Sequence, residues 1–167
     1  MAGLVPAIHV FRLSKRHAGG PDYLFLPTDA KLEGRSWDQS TVVNWEALQG
    51  AIETSKGRRI MLVDTCHSGN AFNARLLKDA VDASIAVYAA TDAETLAQGR
   101  SALGHGVFTY AVIEGLKGGA DLSRDRFIEA QELSTYVLGA VRKLTADKQL
   151  PTFTQSGRSD FVISKVR

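Results

Sequence analysis

Residues 59–64 read Arg-Ile-Met-Leu-Val-Asp, and the apolar centre of this run does not alternate with polar positions. A strand with one face in water alternates, so an unbroken apolar run belongs to a strand covered on both faces, as in a parallel sheet between helical layers. The stretch before it carries the other period. Val42, Trp45, Leu48 and Ile52 recur at spacings of three and four, and Gly57 supplies a stop, which predicts a helix over 41–54. Upstream, Tyr23, Leu24, Phe25 and Leu26 form a short apolar run closed by Pro27, which predicts a buried strand followed by a loop over 30–40. Strand, helix and strand in succession predict a βαβ unit. The alternation continues through a mixed, helix-compatible segment to Asp82, a buried run over 84–90 and a helix over 107–116 bounded by glycines. Leu133, Tyr136, Val137, Ala140, Val141 and Leu144 then trace the most regular helical stripe of the chain, and a last strand is expected over 160–164. The pattern predicts an α/β fold, a three-layer α/β/α sandwich around a mostly parallel central sheet.

Composition narrows the function classes. The 167 residues hold 20 Lys and Arg against 18 Asp and Glu, a formal net charge of +2, and no long basic block offers a phosphate-neutralising surface. Nucleic acid is not an expected partner. No apolar run approaches the roughly 18 residues a spanning helix needs, so no membrane partner is expected either. At the N-terminus the positive charges follow the apolar stretch and Pro6 interrupts it, the reverse of a secretory signal. Cys66 is the one cysteine, so no internal disulfide can form; a reducing, cytoplasmic setting is expected, with the thiol a buried filler, a metal ligand or a nucleophile.

In open α/β sheets, reactive residues gather at the carboxyl ends of strands, where exposed loops stand on a rigid floor. The buried run ends in Asp64-Thr65-Cys66-His67-Ser68-Gly69. A thiolate there is placed to attack a carbonyl carbon, with a base to take the thiol proton and nearby backbone N–H groups, in the loop at Ser68 and Gly69, to hold the oxyanion. Gly69 permits close approach of a substrate. The plainer alternatives are a packed Cys66 and an Asp64 that merely caps a loop.

DTCHSG resembles the Asp-x-Cys-His-Ser-Gly motif of the metacaspase and bacterial caspase-like branch of the clan CD cysteine peptidases. DYLFLPTDA upstream, and GHGVFTYAVIEGLKGGAD, FIEAQELSTYV and QLPTFTQSGRSDFVIS downstream, stand in the family's order, so the resemblance covers residues 22–164. It implies a caspase-like sandwich and a cysteine-type endopeptidase, with Cys66 as nucleophile and Asp64 in the pocket for the residue before the scissile bond. An acid in that pocket favours Arg or Lys, so the implied partner is a peptide or protein substrate with a basic residue. The family's Ser-Gly-His-Gly is absent. The chain reads Leu13-Ser14-Lys15-Arg16-His17-Ala18-Gly19-Gly20, making His17 the candidate base, with a surface imidazole as the alternative. Residues 1–20 are read as an atypical segment not native to the domain, and 21–167 as a partial caspase-like domain lacking its first strands. The loss of the His-Gly loop also keeps open a non-catalytic scaffold that binds peptides.

The remaining imidazoles fit less well. His67 points away from its neighbour in an extended segment, His105 matches the family's downstream helix motif, and His9 falls in the atypical segment. No cofactor is expected. Asp121, Ser123, Asp125, Phe127, Glu129 and Glu132 follow EF-hand ligand spacing, but Arg126 occupies the turn position that such a loop gives to Gly, so a charged turn is expected and calcium is not supported. Paired-ligand spacing for zinc is missing. A dinucleotide-binding reading fails for want of a GxGxxG between strand and helix.

Overall fold

The computed structural model describes residues 12–13, 24–64, 74–90, 106–154 and 160–166. The elements, in chain order, are β1 (Arg12–Leu13), β2 (Leu24–Leu26), β3 (Leu32–Glu33), β4 (Ser36–Trp37), β5 (Val43–Asn44), α1 (Trp45–Glu53), β6 (Arg59–Val63), α2 (Ala74–Asp82) and β7 (Ile85–Ala89). They continue as α3 (Val107–Glu114), a π turn (Gly115–Gly119), β8 (Phe127–Glu129), α4 (Ala130–Thr145), β9 (Thr152–Thr154) and β10 (Val162–Lys165).

The largest described sheet is β6-β7-β9, with β7 in the middle. Every side chain of β7 is buried, and they divide by parity as a pleated strand requires. Ile85, Val87 and Ala89 join Trp45, Met61, Val63 and Ala80, with Leu48 and Ile52 of α1 packed on them. Ala86 and Tyr88 join Val107, Phe108, Ala111 and Val112 of α3 and Leu133, Val137 and Val141 of α4. The sheet therefore carries an apolar cluster on each face, which is why residues 59–63 and 85–89 show no polar alternation. Tyr88 also stacks edge-on against Phe153 of β9, with ring centroids 5.2 Å apart, and its hydroxyl donates to the Ala130 carbonyl at 2.9 Å.

The fold is α/β, but the expected topology needs correction. The central sheet is mixed: β7 pairs with β6 in parallel and with β9 antiparallel. Among the described residues, α3, β8 and α4 lie between β7 and β9 in sequence, and β9 enters the sheet reversed. The βαβ unit is β6-α2-β7, not the one expected upstream. The strand read at 23–26 appears as β2, but both of its edges are occupied by β1 and β5, antiparallel. The expected terminal strand, observed as β10, pairs antiparallel with β8 through a register shift between Val162 and Ser164.

The loop expected over 30–40 contains the hairpin β3–β4, turned at Gly34 and Arg35 with Gly34 at φ +62°. The helix expected over 41–54 is shorter, because Val43 and Asn44 pair with β2 before Asn44 caps α1 by accepting from the Ala47 amide. The stripe read in α4 is correct. Leu133, Val137 and Val141 are its buried line, the Glu129–Glu132 capping box starts it, and Ala146 ends it in the left-handed conformation. The π turn that extends α3 lies so close to α4 that a Cβ on Gly119 would sit 2.8 Å from the Tyr136 ring.

Candidate functional site

Pairing of β6 with β7 runs to its carboxyl end: Val63 lies opposite Ala89, and the next amide, Ala90 N–H, donates to the Val63 carbonyl at 2.8 Å. Asp64 follows at once and is half-buried. Its carboxylate turns toward the amino end of α3, where Thr109 Oγ1 donates to Oδ2 at 2.5 Å. Gly106 is the N-cap of that helix, and its carbonyl accepts the first intrahelical bond, from Tyr110 N–H at 2.9 Å. A Cβ at Gly106 would lie 2.5 Å from Asp64 Oδ2, so glycine is what lets the carboxylate reach the helix end. The position is favourable electrostatically, since the amino end of a helix carries partial positive charge.

The neighbouring strand end is fastened by a residue that sequence reasoning missed. Gln149 is fully buried, and its Nε2 donates to the Ala90 carbonyl at 2.8 Å, while its backbone N–H donates to Thr145 Oγ1 at 3.1 Å. Gln149 Oε1 finds no hydrogen-bond partner among the described residues. Ala90 is thus held through both its N–H and its C=O at the edge where Asp64 leaves the sheet. A glutamine just past a helix reads as a surface residue in a single sequence. Thr109 did leave a signal, a hydroxyl within the apolar face of α3 at capping distance from Gly106.

Of the residues read from the sequence as catalytic, substrate-binding or oxyanion-holding, Asp64 alone lies where its side chain is described. Cys66, His67, Ser68, Gly69, His17, His105 and His9 fall outside the described residues. The segment read as atypical contributes Arg12–Leu13, which pair with Leu26 and Phe25 of β2.

The loop with EF-hand spacing spends its carboxylates on backbone amides. Asp121 accepts from Asp125 N–H at 3.1 Å and Arg126 N–H at 3.2 Å, Asp125 accepts from Phe127 N–H at 2.8 Å, and Glu132 accepts from Ser123 N–H at 2.8 Å. Arg126 does adopt the left-handed conformation expected to exclude it, at φ +70°, with its amide held by Asp121. The Glu129 carboxyl is pushed up, first by its hydrogen bond with the Glu132 side chain and then by desolvation. Among the described residues no group of three or more His, Cys, Asp and Glu is placed to hold a metal ion, and no helix is long and apolar enough to cross a membrane. Comparison with known proteins gives no match to a protein-family model, to a curated protein or to a solved structure.

Proposed function

We propose that this chain is a caspase-like cysteine endopeptidase domain that cleaves after Arg or Lys, its sheet being part of a caspase-type sandwich. The observation that carries the proposal is Asp64: a half-buried carboxylate at the carboxyl end of a buried strand, two residues before the one thiol of the chain. In the proposed reaction Cys66 Sγ attacks the carbonyl carbon of the scissile peptide while His17 takes the thiol proton. Backbone amides at Ser68 and Gly69 hold the oxyanion. The C–N bond then breaks, the imidazolium returns its proton to the departing amine, and water hydrolyses the thioester to release the acid and restore the thiol. Asp64 attracts the basic side chain of the substrate by charge. A lone thiol suits a cytoplasmic setting.

A non-catalytic, peptide-binding scaffold is the second reading. Two observations favour it: the sequence lacks Ser-Gly-His-Gly, and one oxygen of Asp64 is already bonded to Thr109. The two separate on fluorogenic Arg and Lys peptides compared between the natural protein and Cys66→Ala, together with the alkylation rate of the thiol. A peptidase cuts, loses all cutting in Cys66→Ala and alkylates faster than free cysteine. No cutting, with a thiol no more reactive than free cysteine, overturns the enzyme and leaves the scaffold.

A further inference from the structure

The bond between Thr109 and Asp64 is unlike those of the other helical threonines with described hydroxyls. Thr135 and Thr145, both in α4, donate to the carbonyl four residues back in their own helix, to Gln131 and Val141, each at 2.8 Å. That is the usual habit of a helical threonine. Thr109 instead reaches across 45 positions of sequence to Asp64 Oδ2. Oδ2 is also the oxygen set against Gly106, since a Cβ added there would lie 2.5 Å from Oδ2 and 3.3 Å from Oδ1. The two carboxylate oxygens are therefore not equivalent. Among the described residues, Oδ2 holds the Thr109 hydroxyl beside the first turn of α3, and Oδ1 has no hydrogen-bond partner, which makes it the oxygen assigned to a ligand.

We infer that Thr109 is a positioning residue that makes Asp64 a one-oxygen receptor, so that the site takes ammonium and guanidinium groups alike. This rests on the reading above in giving Asp64 to a basic side chain. A guanidinium gains over an ammonium by bonding both oxygens of a carboxylate with its planar fork. Each carboxylate oxygen offers two lone pairs; with one of Oδ2 given to Thr109 and that oxygen set against Gly106, the fork is expected to keep one bond, the same number that a lysine ammonium makes. The hydroxyl of Thr109 thereby removes the advantage of Arg over Lys without touching the substrate.

The test uses the full chain carrying Cys66→Ala, so that binding is read apart from catalysis, with butylguanidinium and butylammonium as probes in NMR titrations. Wild-type Thr109 is expected to bind the two within about twofold of each other. Thr109→Val, which keeps the shape and removes the hydroxyl, frees Oδ2 and is expected to favour the guanidinium by about fivefold, the worth of one further hydrogen bond. Thr109→Ser restores the even ratio, which separates loss of the hydroxyl from damage to the fold, and Asp64→Asn removes both affinities. With Cys66 intact, the same shift is expected between Arg and Lys peptides through KM rather than kcat. An unchanged ratio in Thr109→Val, a wild-type preference of fivefold or more, or no binding of either cation overturns the inference. A shifted cation ratio without peptide cleavage supports it and counts against the peptidase alone; cleavage with an unshifted ratio does the reverse.

Discussion

Replacing Gln149 tests whether its amide, rather than its bulk, organises the carboxyl edge of the sheet. Its Nε2 must face the Ala90 carbonyl, since the alternative orientation would set two acceptors against each other, and Oε1 is then left without a partner among the described residues. Gln149→Met, close in volume, removes both groups. Losing the donor leaves the Ala90 carbonyl unpaired at a cost of about 1–3 kcal/mol, and losing the orphaned Oε1 returns a similar amount, so the net change is expected to stay within about 1 kcal/mol. For a chain of this size that is a melting shift of roughly 2–4 °C or less. Gln149→Glu differs from the natural residue by one group, yet at neutral pH the folded chain must hold a proton that the unfolded chain gives up, because a carboxylate there would face an acceptor, and this is expected to cost about 3–5 kcal/mol.

The sign with pH follows from linkage. The buried acid keeps its proton in the folded state, so its folded pKa lies above the unfolded value of about 4.3. Below that value both states are protonated, and the neutral acid can donate to the Ala90 carbonyl as the amide did. As pH rises beyond it the unfolded chain releases the proton first, and the variant loses about 1.4 kcal/mol per unit until the folded pKa is passed. Urea unfolding followed by circular dichroism at pH 4 and pH 7.5 reads all three proteins. A Gln149→Met loss above about 3 kcal/mol, or a Gln149→Glu deficit equal at the two pH values, would refute this account of the strand end.

Tyr88→Phe is expected to lower stability by about 1 kcal/mol, since one buried hydrogen bond to Ala130 goes while the ring packing on Phe153 stays. Burial, and then the charge of Asp160, push the Tyr88 phenol up, so the loss should be the same at pH 6 and pH 9 in paired thermal melts, and a loss confined to one pH would contradict it. Gly119→Ala drives a methyl to within 2.8 Å of the Tyr136 ring and should cost about 1–3 kcal/mol. The double variant with Tyr136→Leu should recover part of that, and a purely additive double would show that the contact is not the cause.

Much of the fold was legible because it is written in local period. The unbroken apolar runs at 60–63 and 85–89 announce strands covered on both faces, and the stripe from Leu133 to Leu144 announces α4, since each pattern needs only a chain and its own geometry. Pairing is a different matter. Nothing in residues 24–26 says that β1 and β5 will take both edges of β2, and nothing in residues 152–154 says that they enter the sheet against β7. Those outcomes depend on which edges are already occupied when the strands meet in space.

The sequence by itself determined an α/β chain with little net charge, a single thiol just beyond a buried strand, and an acid beside it. Only the tertiary structure decided what that acid touches. Asp64 and Thr109, or Gln149 and Ala90, stand 45 and 59 positions apart, and such pairs meet because the sheet fixes where strand ends and helix ends come together. A carboxylate bonded from a strand end to a helix end is a product of that meeting, because hydrogen bonds of this kind are set by distance in space and leave no period in the chain.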